Sequence, residues 1–302
     1  MKVVLFCGGM GMRLREFSEA IPKPMVPIGP RPIIWHLMKY YAHYGHKDFI
    51  LCLGWQGHVI KDYFLNYNEC VSNDFVLKQG DRVQLLRSDI SDWTITFVDT
   101  GLHSNLGQRL TAVRPYVEGE ECFLANYSDG LTDLPLPALI DQFHESDSIA
   151  TFLGVRPRLT FHLMDSDDGG WVSRMTPITS ANLWMNAGFF ALRQEIFSYI
   201  RDGEELVVEP FRRLIDERRL TSHKYDGFWA SMDTYKEKQT LDDLYHRSDA
   251  PWVVWGKDAI PDTSVIHMRT RVNGQLSREP QPTMPTREAI ELARSVAPAS
   301  PK

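Results

Sequence analysis

The sequence has few cysteines and none of the cysteine spacings that bind metal ions. Four cysteines occur among 302 residues, at Cys7, Cys52, Cys70 and Cys122, and no two of them form a CxxC pair. Three of the four lie in apolar runs typical of strands. We therefore expect buried thiols in a reducing compartment, rather than a disulfide framework or a cysteine-based metal site.

The sequence also lacks an excess of basic residues and a long apolar run. Lys and Arg total 33 against 39 Asp and Glu, for a net charge of −6. Proteins that coat nucleic acid neutralise its phosphates with a basic surface, so this composition argues against a nucleic-acid partner. No run approaches the ~20 apolar residues of a membrane span, and no basic segment precedes an apolar stretch near the start. We expect a cytoplasmic protein with no membrane partner.

Short apolar runs alternate with longer segments of helical period in the first half of the chain. The runs "KVVLFC", "DFILCLG", "WTITFVDT", "CFLANYSDG" and "SIATFLGV" have the composition of strands, and segments such as "PIIWHLMKYYAHYG" separate them. This alternation predicts an α/β fold, with a mostly parallel sheet flanked by helices. Ligands of such sheets bind beyond the carboxyl ends of the strands.

The domain organisation follows from where this pattern stops. Two amphipathic helices, in "VVEPFRRLIDERRL" and "YKEKQTLDDLYHRS", precede a final segment that is rich in Pro, Ser, Thr and charge from about Ser277. We predict one domain over residues 1–255 and a partly flexible C-terminal extension of helix and strand over residues 256–302. The 302 residues and 43% hydrophobic content suit such a domain.

The first strand breaks into the glycine-rich stretch "CGGMGMRL". Here Gly8, Gly9 and Gly11 lack the side chains that would keep a ligand away from backbone N–H groups. Arg13 ends the loop, and Lys23 follows ten positions later between two prolines. The spacing fits neither GxGxxG, because a leucine stands at the third glycine position, nor GxxxxGK[ST]. The residues alone leave open an anion site of nucleotide size and a tight turn.

The stretch "GGMGMRL" followed by "PKPM" resembles the signature of the sugar-phosphate nucleotidyltransferases, and most closely their glucose-1-phosphate cytidylyltransferase branch. The resemblance continues in order through "DFILCLGWQGHVIKDYF", "VDTG", "GQRL", "YSDG", "NAGFF", "DGFWASMDT" and "APWVVW", over residues 1 to 255. It implies a Rossmann-like nucleotidyltransferase fold.

The resemblance also implies an activity. The expected reaction is Mg²⁺-dependent transfer from CTP to a hexose 1-phosphate, α-D-glucose 1-phosphate in the first instance, with release of pyrophosphate. Two polyanions must meet in this reaction, so cations and a metal ion suit it. Transfer to another phosphorylated acceptor, use of another nucleoside triphosphate and a catalytically silent nucleotide-binding homologue remain as alternatives.

Site residues follow from the resemblance position by position. Arg13 and Lys23 would contact the phosphates and act in catalysis, and Asp129 and Asp233 would hold Mg²⁺. The implied nucleotide-binding residues are Gly8, Gly9, Gly11, Met12, Arg13, Lys23, Ser104, Arg109 and Ser128, and the implied sugar-binding residues are Asn186 and Gly188.

Three departures from the family pattern concern the same site. Met12 replaces the usual threonine, and Ser128 replaces the glycine before the metal-binding aspartate. Met175, Thr176 and Pro177 stand where the family has Glu-Lys-Pro, so a glutamate and a lysine expected at the acceptor are missing. We therefore expect intact nucleotide chemistry, whereas the identity of the acceptor stays open.

Other polar clusters have structural interpretations. Asp165, Asp167 and Asp168 in "MDSDDGG" predict a solvated hairpin turn rather than a metal site. The histidines in and near the first helices have no partner at ligand spacing. Helices rich in aromatic residues are compatible with a homo-oligomer.

Overall fold

The computed structural model describes residues 1–9, 21–158, 161–256, 266–272 and 275–278. The chain divides into two compact units: the first is Met1–Tyr67 with Asp89–Ile260, and the second is Asn68–Ser88 with Pro261–Lys302. The boundary predicted near residue 255 stays a prediction.

Strands and helices alternate along the first unit. In chain order over the described residues of both units, the strands are β1 (Val3–Phe6), β2 (Pro27–Ile28), β3 (Arg31–Pro32), β4 (Asp48–Leu53), β5 (Phe75–Lys78), β6 (Arg82–Leu85), β7 (Thr94–Asp99), β8 (Cys122–Asn126), β9 (Gly130–Thr132), β10 (Ala150–Val155), β11 (His162–Ser166), β12 (Val172–Pro177), β13 (Met185–Arg193), β14 (Leu220–Tyr225), β15 (Trp229–Ser231), β16 (Ile266–Val272) and β17 (Gln275–Arg278). The α-helices are α1 (Ile33–His43), α2 (Gly57–Leu65), α3 (Leu106–Val117), α4 (Leu136–Glu145), α5 (Ile196–Tyr199), α6 (Glu209–Asp216) and α7 (Tyr235–His246), and short 3₁₀ helices cover Lys23–Met25, Glu69–Val71 and Ile178–Ser180.

A seven-stranded sheet in the order β14-β10-β13-β8-β1-β4-β7 forms the centre of the first unit. β1 pairs in parallel with β4 and β8, and β4 pairs in parallel with β7. β13 runs antiparallel to both of its neighbours, β8 and β10. The predicted α/β fold with a mostly parallel sheet is therefore confirmed, and β13 is an antiparallel strand that the sequence pattern did not predict.

Both faces of this sheet are covered at β1, which explains why that strand is apolar at every position. Val3 and Leu5 of β1 pack into a cluster that includes α1. Val4 and Phe6 point to the other face and join a cluster that includes residues of α3. Burial of each such side chain stabilises the fold by about 1.5 to 3 kcal/mol. This core fixes the carboxyl ends of the strands, where the polar residues lie.

The other predicted elements are also present. α6 and α7 lie within the two segments predicted to be amphipathic helices. β11 and β12 form an exposed hairpin, with Asp165 beside Arg174 and a turn at Asp167, as predicted for this acidic cluster. Cys7, Cys52 and Cys122 are buried free thiols and Cys70 is half-buried. Among the described helices, none has the length and apolar character needed to cross a membrane.

The second unit contains a four-stranded sheet in the order β17-β16-β6-β5. β6 pairs antiparallel with β5 and β16. Val83 and Leu85 of β6 are buried, and Cys70 packs against them. The sequence pattern did not predict this sheet.

Candidate active site

A cavity of about 540 Å³ lies at the carboxyl edge of the central sheet. This volume is within the usual range for a small-molecule site. The residues that line it come from the end of β1 and the loop after it, the 3₁₀ helix at Lys23–Met25, the loops after β7 and β8, the start of α3, and two segments farther along the chain. They are Phe6, Cys7, Gly8, Gly9, Lys23, Pro24, Ser104, Asn105, Leu106, Arg109, Tyr127, Asp129, Glu205 and Asp233.

The cavity brings together most of the residues that the sequence nominates. Gly8, Gly9, Lys23, Ser104, Arg109, Asp129 and Asp233 all line it. Gly11, Met12 and Arg13 lie outside the described residues. Their predicted roles stay predictions.

Arg109 forms hydrogen bonds with the chain at the carboxyl ends of β1, β4 and β7, next to the glycine stretch. Its side chain is 4% exposed. One guanidinium nitrogen donates to the Thr100 hydroxyl at 2.7 Å and the Leu53 carbonyl at 3.2 Å, and the other donates to the Gly8 carbonyl at 3.1 Å. A Cβ on Gly8 would lie 2.0 Å from the guanidinium. Glycine is therefore required here by the protein's own packing, and the bonds shown by Arg109 position the loop.

The N-terminus of α3 faces the same cavity. The Asn105 side chain accepts a hydrogen bond from the Gln108 backbone at 2.9 Å, and the Gln108 side chain accepts one from the Asn105 backbone at 3.0 Å. This capping box explains why the helix begins at Leu106. Ser104, a predicted nucleotide-binding residue, donates to the Thr100 carbonyl at 2.5 Å.

Glu205 was not among the sequence candidates. It lies between α5 and α6, held by the fully buried neighbour Leu206. One of its carboxylate oxygens accepts a long bond from the Leu106 backbone at 3.4 Å. The other, Oε1, is buried and has no hydrogen-bond partner among the residues that the structure describes. A buried acceptor without a partner is rare in proteins, so this oxygen is available to a donor in the cavity.

Lys23 lies between two carboxylates that come from distant parts of the sequence. Its Nζ is 2.5 Å from Asp129 and 2.7 Å from Asp233. A backbone hydrogen bond of 2.9 Å from Met232 to the Asp129 carbonyl brings the two aspartates together. The two acid groups therefore converge on a single point that a cation occupies.

Burial and charge act against each other in this cluster. Burial alone would lower the pKa of Lys23, but the two carboxylates outweigh it and raise that pKa, so the ammonium stays charged. Burial raises the pKa of Asp129, and Lys23 only partly opposes this rise. The aspartates are thus held in a site that favours a strong positive charge beside them.

The donor set fits Mg²⁺. This ion prefers oxygen ligands and is commonly held by one or two carboxylates with water and substrate phosphates. Among the described residues, no group of three or more His, Cys, Asp or Glu side chains could hold a metal. Asp129 and Asp233, whose carboxylates meet at one position, are the pair that could hold such an ion.

Ser128 lies just before Asp129 in a backbone conformation that favours glycine. Its φ is 70° and it is fully buried. Its Oγ lies 3.4 Å from the Cys7 sulfur, and its N–H donates to the Asn126 side chain at 2.8 Å. Burial raises the pKa of the Cys7 thiol to about 12, so Cys7 remains an uncharged partner. The extra side chain is accommodated behind the loop.

Ser128→Gly should change the free energy of unfolding by no more than about 1 kcal/mol. The left-handed conformation costs serine about 1 to 2 kcal/mol, whereas glycine loses more entropy on folding and forfeits the contact with Cys7. Ser128→Ala keeps the strain and loses the contact, so it should be the less stable variant. Thermal denaturation of both proteins checks this order, and a glycine variant below the alanine variant would contradict it.

Asn186 and Gly188 lie beside the cavity, against Tyr127. The Asn186 amide donates to the Tyr127 hydroxyl at 3.2 Å, and its oxygen accepts from the Gly188 N–H at 2.8 Å. Gly188 has a φ of +78°, and a Cβ there would lie 2.4 Å from the Tyr127 ring. Tyr127 was not among the predicted site residues. A glycine inside an apolar strand was the available signal, because it often marks a close approach.

The segment that replaces Glu-Lys-Pro lies on β12. Met175 is 63% exposed and pairs with Met164 of β11. Thr176 pairs with Leu163 in the same hairpin. This segment, which is expected to contact the acceptor, thus carries neutral side chains in place of a glutamate and a lysine.

The chain belongs to the nucleotidyl transferase family. A model of that family matches residues 2–230, which include every site residue described above except Asp233. The protein is thus an enzyme of the nucleotidyltransferase class.

Curated relatives agree with this class, and a solved structure shares the fold. The chain is 37% identical over 256 residues to the glucose-1-phosphate cytidylyltransferase of Salmonella typhi, covering 84% of this chain and 100% of that protein. It is 35% identical over 257 residues to a probable glucose-1-phosphate cytidylyltransferase of Bacillus subtilis, with the same coverage. A putative glucose-1-phosphate thymidylyltransferase from Bacillus anthracis superposes with a TM-score of 0.60 at 17% identity, covering 85% of this chain and 98% of the other. This last likeness shows the fold alone.

Proposed function

We propose that this enzyme transfers a cytidylyl group from CTP to a hexose 1-phosphate in the presence of Mg²⁺, releasing pyrophosphate. The observation that carries the proposal is the convergence of Lys23, Asp129 and Asp233 at the cavity bordered by Gly8 and Gly9. The names of the curated relatives support CTP and α-D-glucose 1-phosphate as the first pair to test.

The chemistry needs positive charge more than it needs a proton acceptor. An oxygen of the acceptor phosphate attacks the α-phosphorus of CTP, the bond from the α-phosphorus to the bridging oxygen breaks, and pyrophosphate leaves with those electrons. The attacking phosphate is already ionised. Lys23 would bind the phosphates, and the charge that it adds would stabilise the transition state. Mg²⁺ held by Asp129 and Asp233 would neutralise further phosphate charge.

The charges along the cavity also orient the nucleotide. Lys23 attracts the triphosphate, whereas the Glu205 carboxylate repels phosphate and accepts only from a donor. We therefore place the nucleoside at the α3 end, where its N–H or O–H groups can reach the unpartnered Glu205 oxygen. An exocyclic amine of the base and a ribose hydroxyl are the two candidate donors.

Glu205→Gln should lower kcat/KM for CTP by about tenfold to a hundredfold, the usual loss for one hydrogen bond to a charged group. If the partner is the base amine, the variant should lose discrimination between CTP and UTP. If the partner is a ribose hydroxyl, it should lose discrimination between CTP and 2′-deoxy-CTP. Glu121→Gln, at a carboxylate that pairs with Arg193 and is 81% exposed, is the matched control. Unchanged discrimination in both comparisons would contradict this orientation.

The function itself is tested by pyrophosphate release. Purified enzyme is incubated with CTP, UTP, dTTP, ATP and GTP against a panel of sugar phosphates, with and without Mg²⁺. Mg²⁺-dependent release with CTP supports the proposal, and no release with any pair would refute it in favour of a silent homologue.

An altered acceptor is the second candidate. The neutral Met175 and Thr176 in the expected acceptor segment favour it. Turnover with CTP on a sugar phosphate other than glucose 1-phosphate would select this candidate.

A cytoplasmic location fits a CTP-dependent reaction, and the homo-oligomer stays a prediction that size-exclusion chromatography with light scattering can check.

A further inference from the structure

We infer that a second cavity beside the candidate active site binds an anionic group at the far end of the acceptor, either a carboxylate or a second phosphate. The inference rests on the proposed function. It narrows the acceptor from any sugar phosphate to one that carries a negative charge besides the reacting phosphate.

The second cavity has a volume of about 180 Å³ and lies in the first unit. Its walls come from the residues after β10, from the residues after β14 and from Thr179, just beyond the segment that replaces Glu-Lys-Pro. Arg156 and Arg158 both line it. A guanidinium carries N–H donors in a fork that suits carboxylate and phosphate.

The strand register places this cavity beside Asn186. Gly154 of β10 pairs with Asn186 on one side and with Lys224 of β14 on the other. β10 and β8 are both antiparallel to β13, so their carboxyl ends lie at the same edge of the sheet. Arg156 follows Gly154 by two residues, which puts it on the same sheet face as Asn186.

Trp229 lines the second cavity and contacts the backbone beside Asn186 and Asp129. Its indole N–H donates to the Ala187 carbonyl at 3.1 Å. The same nitrogen lies 3.2 Å from where a Cβ on Gly130 would be, next to Asp129 in the first cavity. The reacting phosphate must lie at Lys23 and Asp129. An acceptor that extends past Asn186 would therefore present its opposite end to the arginines.

The charge around the second cavity is positive. Arg156 lies 4.5 Å from the ring centre of Trp184, and the Lys224 ammonium lies 5.3 Å from the same ring centre. Arg158 contributes a further cation, whereas Asp226 is the carboxylate beside Arg156, at 2.8 Å. Two cations, Arg156 and Arg158, thus line the cavity with one acid, Asp226, and Lys224 lies against the same tryptophan ring as Arg156. An anionic ligand would balance the excess positive charge of the lining.

Each arginine is held in place by a bond that leaves donors for a ligand. Arg156 gives its Nε–H to Asp226, and Arg158 gives one Nη2–H to the Gly227 carbonyl at 2.6 Å. A guanidinium has five N–H groups, so these bonds position the fork without exhausting it. Stacking of Arg156 on Trp184 fixes its plane.

The experiment compares three acceptors with the same nucleotide. These are α-D-glucose 1-phosphate, α-D-glucuronic acid 1-phosphate and α-D-glucose 1,6-bisphosphate, which differ in the charge at the far end. We expect kcat/KM to be at least about tenfold higher for one of the charged acceptors, which corresponds to one good charge-assisted contact. The preferred acceptor identifies the group as a carboxylate or a phosphate.

Arg156→Gln and Arg158→Gln should remove that preference while leaving kcat/KM for glucose 1-phosphate within about twofold, since the far end of this acceptor carries no charge for them to bind. Arg174→Gln is the matched control, because Arg174 is exposed and pairs with Asp165 at 2.6 Å on the β11–β12 hairpin. It should keep the preference.

Calorimetric titration of the three acceptors separates failure of this inference from failure of the proposed function. If turnover is absent with every acceptor, tighter binding of a charged acceptor, lost in Arg156→Gln, would still support the anion site. Equal or tighter binding of glucose 1-phosphate, or a charge preference that survives both substitutions, would overturn it.

Discussion

Asp129→Asn and Asp233→Asn should each lower kcat by on the order of a thousandfold, about 4 kcal/mol in activation free energy. Both carboxylates lie within 2.7 Å of the same ammonium, so they define one cation position. An amide keeps the size of the side chain and removes the charge that would hold Mg²⁺ against two polyanionic substrates. Steady-state rates over a range of Mg²⁺ concentrations measure the effect.

The acidic hairpin supplies the control for these substitutions. Asp168→Asn removes a carboxylate from the exposed cluster on the β11–β12 turn and should leave kcat unchanged. Circular dichroism and thermal denaturation confirm that the variants fold. If Asp129→Asn and Asp233→Asn both retained wild-type rates at low Mg²⁺, the metal assignment would be wrong.

Lys23→Met should lower kcat by about a hundredfold to a thousandfold, or about 3 to 4 kcal/mol, by comparison with removal of one preorganised donor in other enzymes. Methionine keeps the length of the side chain and removes its charge. Because charge on the phosphates is redistributed as pyrophosphate leaves, the ammonium should contribute more in the transition state than in the bound substrate. KM for CTP should therefore change less than kcat.

The same variant has a second measurable property. Removal of the ammonium takes a positive charge away from Asp129 and Asp233, so bound Mg²⁺ should raise the melting temperature of Lys23→Met more than that of the wild type. Lys47→Met, which removes the partner of the exposed Asp92, is the control. An unchanged kcat with only a raised KM would show that Lys23 binds the nucleotide without a catalytic role.

The strands of the central sheet and the helices that flank it could be predicted because the apolar and polar residues within each segment reflect which of its faces are buried. β1 is apolar at every position since both of its faces are covered, and α3 begins where Asn105 and Gln108 form a capping box. Because Gly8 follows β1 and ligands bind at the carboxyl edge of parallel strands, its place at the cavity could also be predicted.

The direction of β13 could not be predicted in this way. "NAGFFALR" is apolar in a parallel or an antiparallel strand, and only its neighbours decide between them. The small sheet of the second unit combines strands from two distant segments, and the spacing of apolar residues within a segment does not indicate such a pairing. The contacts between residues of the site could not be predicted for the same reason, since they join segments that are distant in the sequence. Tyr127 packs on Gly188 and Arg109 packs on Gly8 through contacts across the fold.

The two adjacent glycines of the loop after β1 have different tolerances to mutation. At Gly8 the space for a Cβ is filled by Arg109, whereas at Gly9 no atom of the described residues lies within 4 Å of that position. An alanine at Gly8 would disturb a bond network that joins three strand ends, so its effect on catalysis could not be separated from its effect on folding. The effect of an alanine at Gly9 on activity would reflect only a clash with the bound ligand. In a mutational scan of this enzyme, loss of activity at neighbouring positions would therefore have different physical causes.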